Sequence, residues 1–327
     1  MKKIITVFVF VLFISIGHSQ YINTSYKDAL EIKERTLLVV LPENDKYLLS
    51  MYGQDKDSAE YVQLYINDME GQRLALKKAI SEHWKFTDNT IVTSLKEAKS
   101  LIKKFPDKYA LLKIGEQFQD RTYITFKTSS PPITSWHLVN GEFVYNARNR
   151  YNVRRLGITS LDIEIPKRIF RVYLPKMSSS LGDFIYAVRQ IDYVLTSILK
   201  SEENSANKLY RNSSLVSEEL KNKTLLIDVK ETNCTEEAIK KVYPYPFRIV
   251  SYDAIEDVLK TKDDNYAIIQ IARFDTQSST HYVANAGNGT IYCNFSSPTF
   301  NYSGGENAYI RVYYPLITVK EFEKYKD

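Results

Sequence analysis

The chain has 327 residues, 44 basic against 39 acidic, and 44% of them are hydrophobic. That length supports one large core or two small ones. A net charge of +5, weak and evenly spread, argues against nucleic acid as a partner, and two cysteines do not make a disulfide framework.

At the start, Lys2 and Lys3 precede an apolar run from Ile4 to Ile16 that is too short to span a bilayer, and Gly17-His18-Ser19 follows. Residues 1–19 therefore read as a signal peptide cut before Gln20, with no cysteine after the run to carry a lipid anchor. The mature product, residues 20–327, is expected to be exported to the periplasm or beyond, with no later stretch apolar enough to cross a membrane.

The first strand is expected at Arg35–Leu41, a Leu and β-branched run of the kind buried on both faces. A polar stretch follows, and then a helical pattern at Val62, Tyr65, Ile66, Met69, Leu76, Ala79, Ile80 and Trp84, with Gly71 as a candidate interruption. A short strand at Thr90–Thr93 leads into a helix opened by Ser94 and Glu97 and stopped at Pro106. Tyr109–Ile114 is the next strand. Strand, helix, strand, helix, strand implies parallel pairing with right-handed crossovers.

The same order returns. Lys223–Val229 repeats the first strand, Ala238 and Ile239 match Ala79 and Ile80, Arg248–Ser251 matches Thr90–Thr93, and Tyr266–Ile271 matches Tyr109–Ile114. Asn233 and Glu236 stand three apart like a capping pair at the start of the second copy's first helix. The offset between copies falls from 188 at Thr36/Thr224 to 159 at Ala79/Ala238, an insertion of 29 residues in the first copy. Each copy then turns to antiparallel ribbon around Asn-Gly, at Asn140-Gly141 and at Asn288-Gly289, and reaches Arg-Val-Tyr-x-Pro at Arg171–Pro175 and Arg311–Pro315. Leu181–Leu199 has the spacing of a long amphipathic helix that ends the first module or packs between modules, with nothing comparable after the second copy.

The fold class is therefore α/β with mixed sheets: two tandem duplicated βαβαβ modules, each continuing into an antiparallel hairpin, with helices packed on the sheets. Residues 20–200 form the first module, 201–222 a polar linker and 223–327 the second module.

Chemistry is sparse. Neither a phosphate-cradling glycine loop nor a zinc-binding or nucleophile-elbow motif occurs, so no cofactor and no metal is expected. His137 and His281 each open the first strand of an Asn-Gly hairpin, as ligand contacts, as proton-transfer groups or as plain strand histidines. His83 aligns with Val242 and reads as the end of a helix. Trp136, with Tyr145 across the hairpin, is the best candidate for a stacking surface, against an alternative in cross-strand packing. Cys234 lies at a helix start, and a disulfide to Cys293 competes with a quiet buried thiol and with a reactive one.

The segment LKKAISEHWKF, after a Thr-Leu-Leu strand and before a Tyr-Ala-Leu-Leu strand, resembles exported proteins of Gram-negative bacteria built from tandem α/β modules. The resemblance implies export and a repeated module, and brings no catalytic residues. The leading expectation is a non-catalytic periplasmic or cell-envelope protein that binds or scaffolds an envelope partner. The alternative is a small-molecule or glycan-binding protein using a groove between modules, with Trp136, His137 and Tyr145 as first contacts. A hydrolase using His137 or His281 is third.

Overall fold

A computed structural model describes residues 24–44, 59–119, 134–139, 142–147, 156–166, 168–174, 179–200, 218–273, 278–298, 300–302, 311–313 and 316–326, with residues 46, 49, 202, 205, 206, 208 and 209. The expected signal segment, the Asn140-Gly141 turn and most of residues 201–217 lie outside the described residues.

The first module contains α1 (Tyr26–Lys33), β1 (Thr36–Val40), α2 (Ala59–His83), β2 (Thr90–Thr93), α3 (Leu95–Lys104), β3 (Tyr109–Gln119), β4 (Thr134–Val139), β5 (Glu142–Ala147), β6 (Leu156–Ile165), β7 (Arg168–Tyr173) and α4 (Leu181–Leu199). The second contains β8 (Thr224–Asp228), α5 (Glu236–Val242), β9 (Phe247–Val250), α6 (Tyr252–Thr261), β10 (Tyr266–Arg273), β11 (Ser278–Asn285), β12 (Ile291–Pro298), β13 (Phe300–Tyr302), β14 (Arg311–Tyr313) and α7 (Val319–Lys324). Each module builds a five-stranded mixed sheet, in the orders β2-β1-β3-β6-β7 and β9-β8-β10-β11-β12. The three strands of each βαβαβ unit are parallel, and the last two run antiparallel.

The two modules complete their sheets with different hairpins. In the second module the Asn-Gly hairpin β11–β12 joins β10, as the sequence suggests, and β13–β14 is a separate pair. In the first module the roles are reversed: β4–β5 is the separate pair, and β6–β7 joins β3. Chain length and pattern account for the difference. Only residues 274–277 separate β10 from β11, which favours adjacent pairing. The longer connection 120–133 releases β4, and β6–β7 brings a better apolar face, with Leu161, Ile163, Ile165, Phe170 and Val172 all buried.

Helix boundaries follow their caps. Ser94 and Ser180 accept from Glu97 N and Asp183 N, and Thr235, not Asn233, caps α5 by accepting from Ala238 N. α2 runs unbroken through Gly71 for 25 residues, against 7 for α5. At the offset of 159, α5 corresponds to the last turns of α2, so Ala59–Leu76 has no counterpart in the second module.

Alternating residues divide each sheet into two faces. In the first sheet Leu37, Val39, Ala110 and Leu112 meet α1, α2 and α4, while Leu38, Val40 and Leu111 meet α3. In the second, the equivalents of the first set, Leu225, Ile227, Ala267 and Ile269, pack in the outer core with Ile239 of α5 and Phe322 of α7. Leu226 and Ile268, the equivalents of Leu38 and Leu111, point instead into the common core with Ile255 and Leu259 of α6. The layers thus run α3, first sheet, α1/α2/α4, α6, second sheet, α5/α7.

α4 occupies the centre of that stack. Every residue from Gly182 to Ile191 is buried, as are Val194, Leu195 and Ile198. A helix buried around its circumference is a core element shared by two walls. At roughly 1.5–3 kcal/mol for each fully buried large apolar side chain, Phe184, Ile185, Val188, Ile191 and Leu195 make it a principal source of cohesion between the modules. α7 is its short counterpart: it packs on α5 as α4 packs on α2, with a Thr318/Glu321 capping box like that of Ser180/Asp183. Among the described residues no helix is long and apolar enough to cross a membrane.

Candidate binding groove at the module junction

An open groove with a cavity volume of about 590 Å³ runs beside the start of α4. Asn67, Asp68, Gly71, Gln72, Leu74 and Lys78 of α2 form one wall, and Ser179, Ser180 and Leu181 the other. Most of the α2 wall belongs to Ala59–Leu76. This extension makes its own small apolar cluster of Tyr65 and Met69 against Val62 and Leu49, and leaves Leu74 61% exposed in the groove. Gln72, nearly buried, donates from Nε2 to Asp68 Oδ2 at 2.9 Å, which presents amide and carboxylate together.

Behind Ser180 the second module packs against the start of α4. Tyr252 donates its hydroxyl to Asp183, Ser180 Oγ lies 3.3 Å from that hydroxyl, and Gly182 N donates to Glu256 Oε2 at 3.0 Å. Asp183 also takes the Ser180 amide at 2.8 Å, so carboxylates already occupy two first-turn donors of α4. Burial, reinforced by Asp183, raises the Tyr252 phenol well above its ordinary range and keeps it a donor. Gly182 lets the Glu256 side chain approach closely, since a Cβ there would stand 3.0 Å from Glu256 Cγ.

Further along α4 lies a second polar cluster. Arg189, 5% exposed, donates to the Ala286 carbonyl in the β11–β12 turn and to His83 Nδ1 at 3.2 Å. Gln190 Nε2 donates to Gly289 O at 2.6 Å, and Lys262 Nζ reaches Glu82 O at 3.3 Å. Gly289 has φ +80°, and Arg189 O would be 2.7 Å from any Cβ there, so both backbone and contact call for glycine. Because arginine only donates, His83 Nδ1 must accept, which assigns the imidazole proton to Nε2. Burial first, then the neighbouring Arg189 charge, pushes His83 down to about 4; burial lowers Arg189 to about 10.

None of the residues singled out in the sequence is among the described residues that line this groove. His281 is 1% exposed, stacked on Phe295 with centroids 4.9 Å apart, and its Nδ1 is 2.8 Å from Tyr325 OH. It is a core histidine, not a surface contact, because the close β10–β11 connection carries it into the sheet. In β4–β5 the register places Trp136 opposite Tyr145 and His137 opposite Val144, with the three side chains outside the described residues. Of the alternatives open for the two cysteines, the structure has both as free thiols and not as a disulfide. Cys234, half-buried, directs Sγ to Ile317 O at 3.7 Å, while burial pushes Cys293 up to about 12. Asp162, 1% exposed, is held by Arg171 Nε at 2.7 Å and by Ser160 Oγ at 2.8 Å. Among the described residues no group of three or more His, Cys, Asp or Glu could hold a metal ion.

Compared with known protein families, curated proteins and solved structures, the chain matches none.

His83, Arg189 and Gln190 are the residues that sequence reasoning missed. An apolar spacing marks one face of α4, and nothing local announces that its polar face is also covered. The groove did leave a signal, since the 29-residue insertion marks where the modules diverge.

Proposed function

We propose that this is an exported, non-catalytic binding or scaffolding protein whose binding surface is the groove between α2 and the start of α4. One observation carries the reading: the groove wall is built from Ala59–Leu76, the part of the first module that the second lacks. Added segments on a rigid duplicated frame are where new function accumulates. The groove offers the amides of Asn67 and Gln72, the Asp68 carboxylate, the hydroxyls of Ser179 and Ser180, Lys78 and the exposed Leu74, a combination suited to a polar ligand with an apolar edge. That composition also supports the narrower reading of a small-molecule or glycan ligand. Export rests on the Lys2-Lys3 and Ile4–Ile16 pattern and on the resemblance to exported tandem-module proteins.

Gly71→Trp tests the groove, because a Cβ at Gly71 meets nothing within 4 Å and the indole would fill open space. The protein recovered from the envelope fraction, with Gln20 at its N-terminus, is expected to retain a bound partner or ligand that Gly71→Trp loses without any fall in thermal stability. Equal retention by both proteins, or no bound species on either, counts against the proposal.

A further inference from the structure

His83 sits at the end of α2, where the β11–β12 turn of the second module meets α4 and the end of α6 meets α2. Arg189 bridges it to the Ala286 carbonyl, Gln190 holds Gly289 O, and Lys262 at the end of α6 is bonded to Glu82 O beside it. The His83 side chain is 2% exposed, and its hydrogen bond exists only while Nδ1 is an acceptor. An imidazolium has no acceptor and would face the Arg189 guanidinium donor to donor. We propose that the module junction is an acid-sensitive latch, in which protonation of His83 breaks its hydrogen bond from Arg189 and loosens the second module from α4.

The surrounding charges favour this outcome. From α4 the imidazole faces Arg189, from the end of α6 Lys262, from its own helix Lys78, and from the chain beyond it Lys85, and all four oppose a positive charge there. Two carboxylates stand nearby. Glu82 Oε2 is 3.9 Å from His83 Nε2 and half-exposed, and Asp264 acts on Arg189. Neither reaches Nδ1, where the donor conflict arises. Asp192 of α4 lies by Lys85 and Lys33, and burial raises its carboxyl, so its own titration works in the opposite direction.

The sign follows from linkage. His83 is near 6.5 when unfolded and about 4 when folded, so the unfolded chain takes up the proton first as pH falls. The stabilisation from a neutral His83 is whole above pH 6.5 and is lost progressively from there down to pH 4. The unfolding equilibrium then shifts by roughly 300-fold from this group alone. His83→Asn supplies a neutral acceptor near the Nδ1 position and does not titrate, while Asp192 and every other group remain common to both proteins.

Hydrogen exchange, corrected for its intrinsic pH dependence, is measured at pH 7 and pH 4.5 on peptides covering α4, α6 and residues 285–290, with β1 and β8 as references. In the wild type the junction peptides are expected to lose protection at pH 4.5 while β1 and β8 keep theirs, and His83→Asn is expected to retain junction protection. Equal loss in His83→Asn overturns the latch. Imidazole NMR of the wild-type protein needs no variant: titration of His83 near pH 4 supports the latch, and titration at 6.5 or above overturns it.

Discussion

The two modules share one strand plan but use it in opposite directions. The face that α2 covers in the first sheet turns inward to α4, whereas the equivalent face of the second sheet turns outward beneath α5 and α7. The modules are therefore stacked head to tail and not across a two-fold axis, a heterologous arrangement that in principle could continue. Single positions show how each end is adapted. Glu256 of α6 accepts from Gly182 N at the junction, but its counterpart in α3 is Lys99, exposed beside Lys96, Lys103 and Lys104. The inner helix is fitted for contact, and the outer one for water. Duplication supplied two similar sheets, and divergence on one helix face made one of them an end.

The largest test of this comparison is Phe184→Ala in the shared helix. Removing a fully buried ring should cost about 3–5 kcal/mol. Because α4 belongs to both walls, urea unfolding should remain one transition, and hydrogen exchange should rise in both sheets; a second module left unaffected would break the common-core reading. Next in size, Gly289→Ala strains a backbone at φ +80° and crowds Arg189 O, and should destabilise by roughly 1–3 kcal/mol in the same assay. A neutral result would mean that the β11–β12 turn does not press on α4. The smallest effect, with the opposite sign, is expected from Gly71→Ala. An added methyl meets open space within a 25-residue helix and should stabilise by about 0.5–1 kcal/mol, read as a raised urea midpoint. A loss would show that Gly71 serves a contact and not merely an open wall.

Much of this architecture is legible in the chain. β1 and β8, β2 and β9, and β3 and β10 lie within a few residues of their expected positions, because continuous Leu and β-branched runs have few alternatives inside a parallel sheet. α4 spans the expected residues, Leu181–Leu199, since a 19-residue apolar spacing with a serine cap is a local property. The candidate site was far less legible. His281 and His137 open equivalent hairpins in sequence, yet one is carried into a sheet and the other lies in a separate pair. Arg189 and Gln190 look like solvent residues of an amphipathic helix until a second sheet covers them.

The duplication, the order of strands and helices, the long central helix and the place of the insertion can all be read along the chain. These depend on interactions among near neighbours in the chain, namely hydrophobic period, capping and turn chemistry. Long-range packing sets which hairpin completes each sheet, which face of each sheet turns inward, and the placing of His83 against Arg189 at the junction. Those outcomes depend on competition between distant surfaces for the same partner, and the side that wins is set by total burial across the whole molecule rather than by any local pattern.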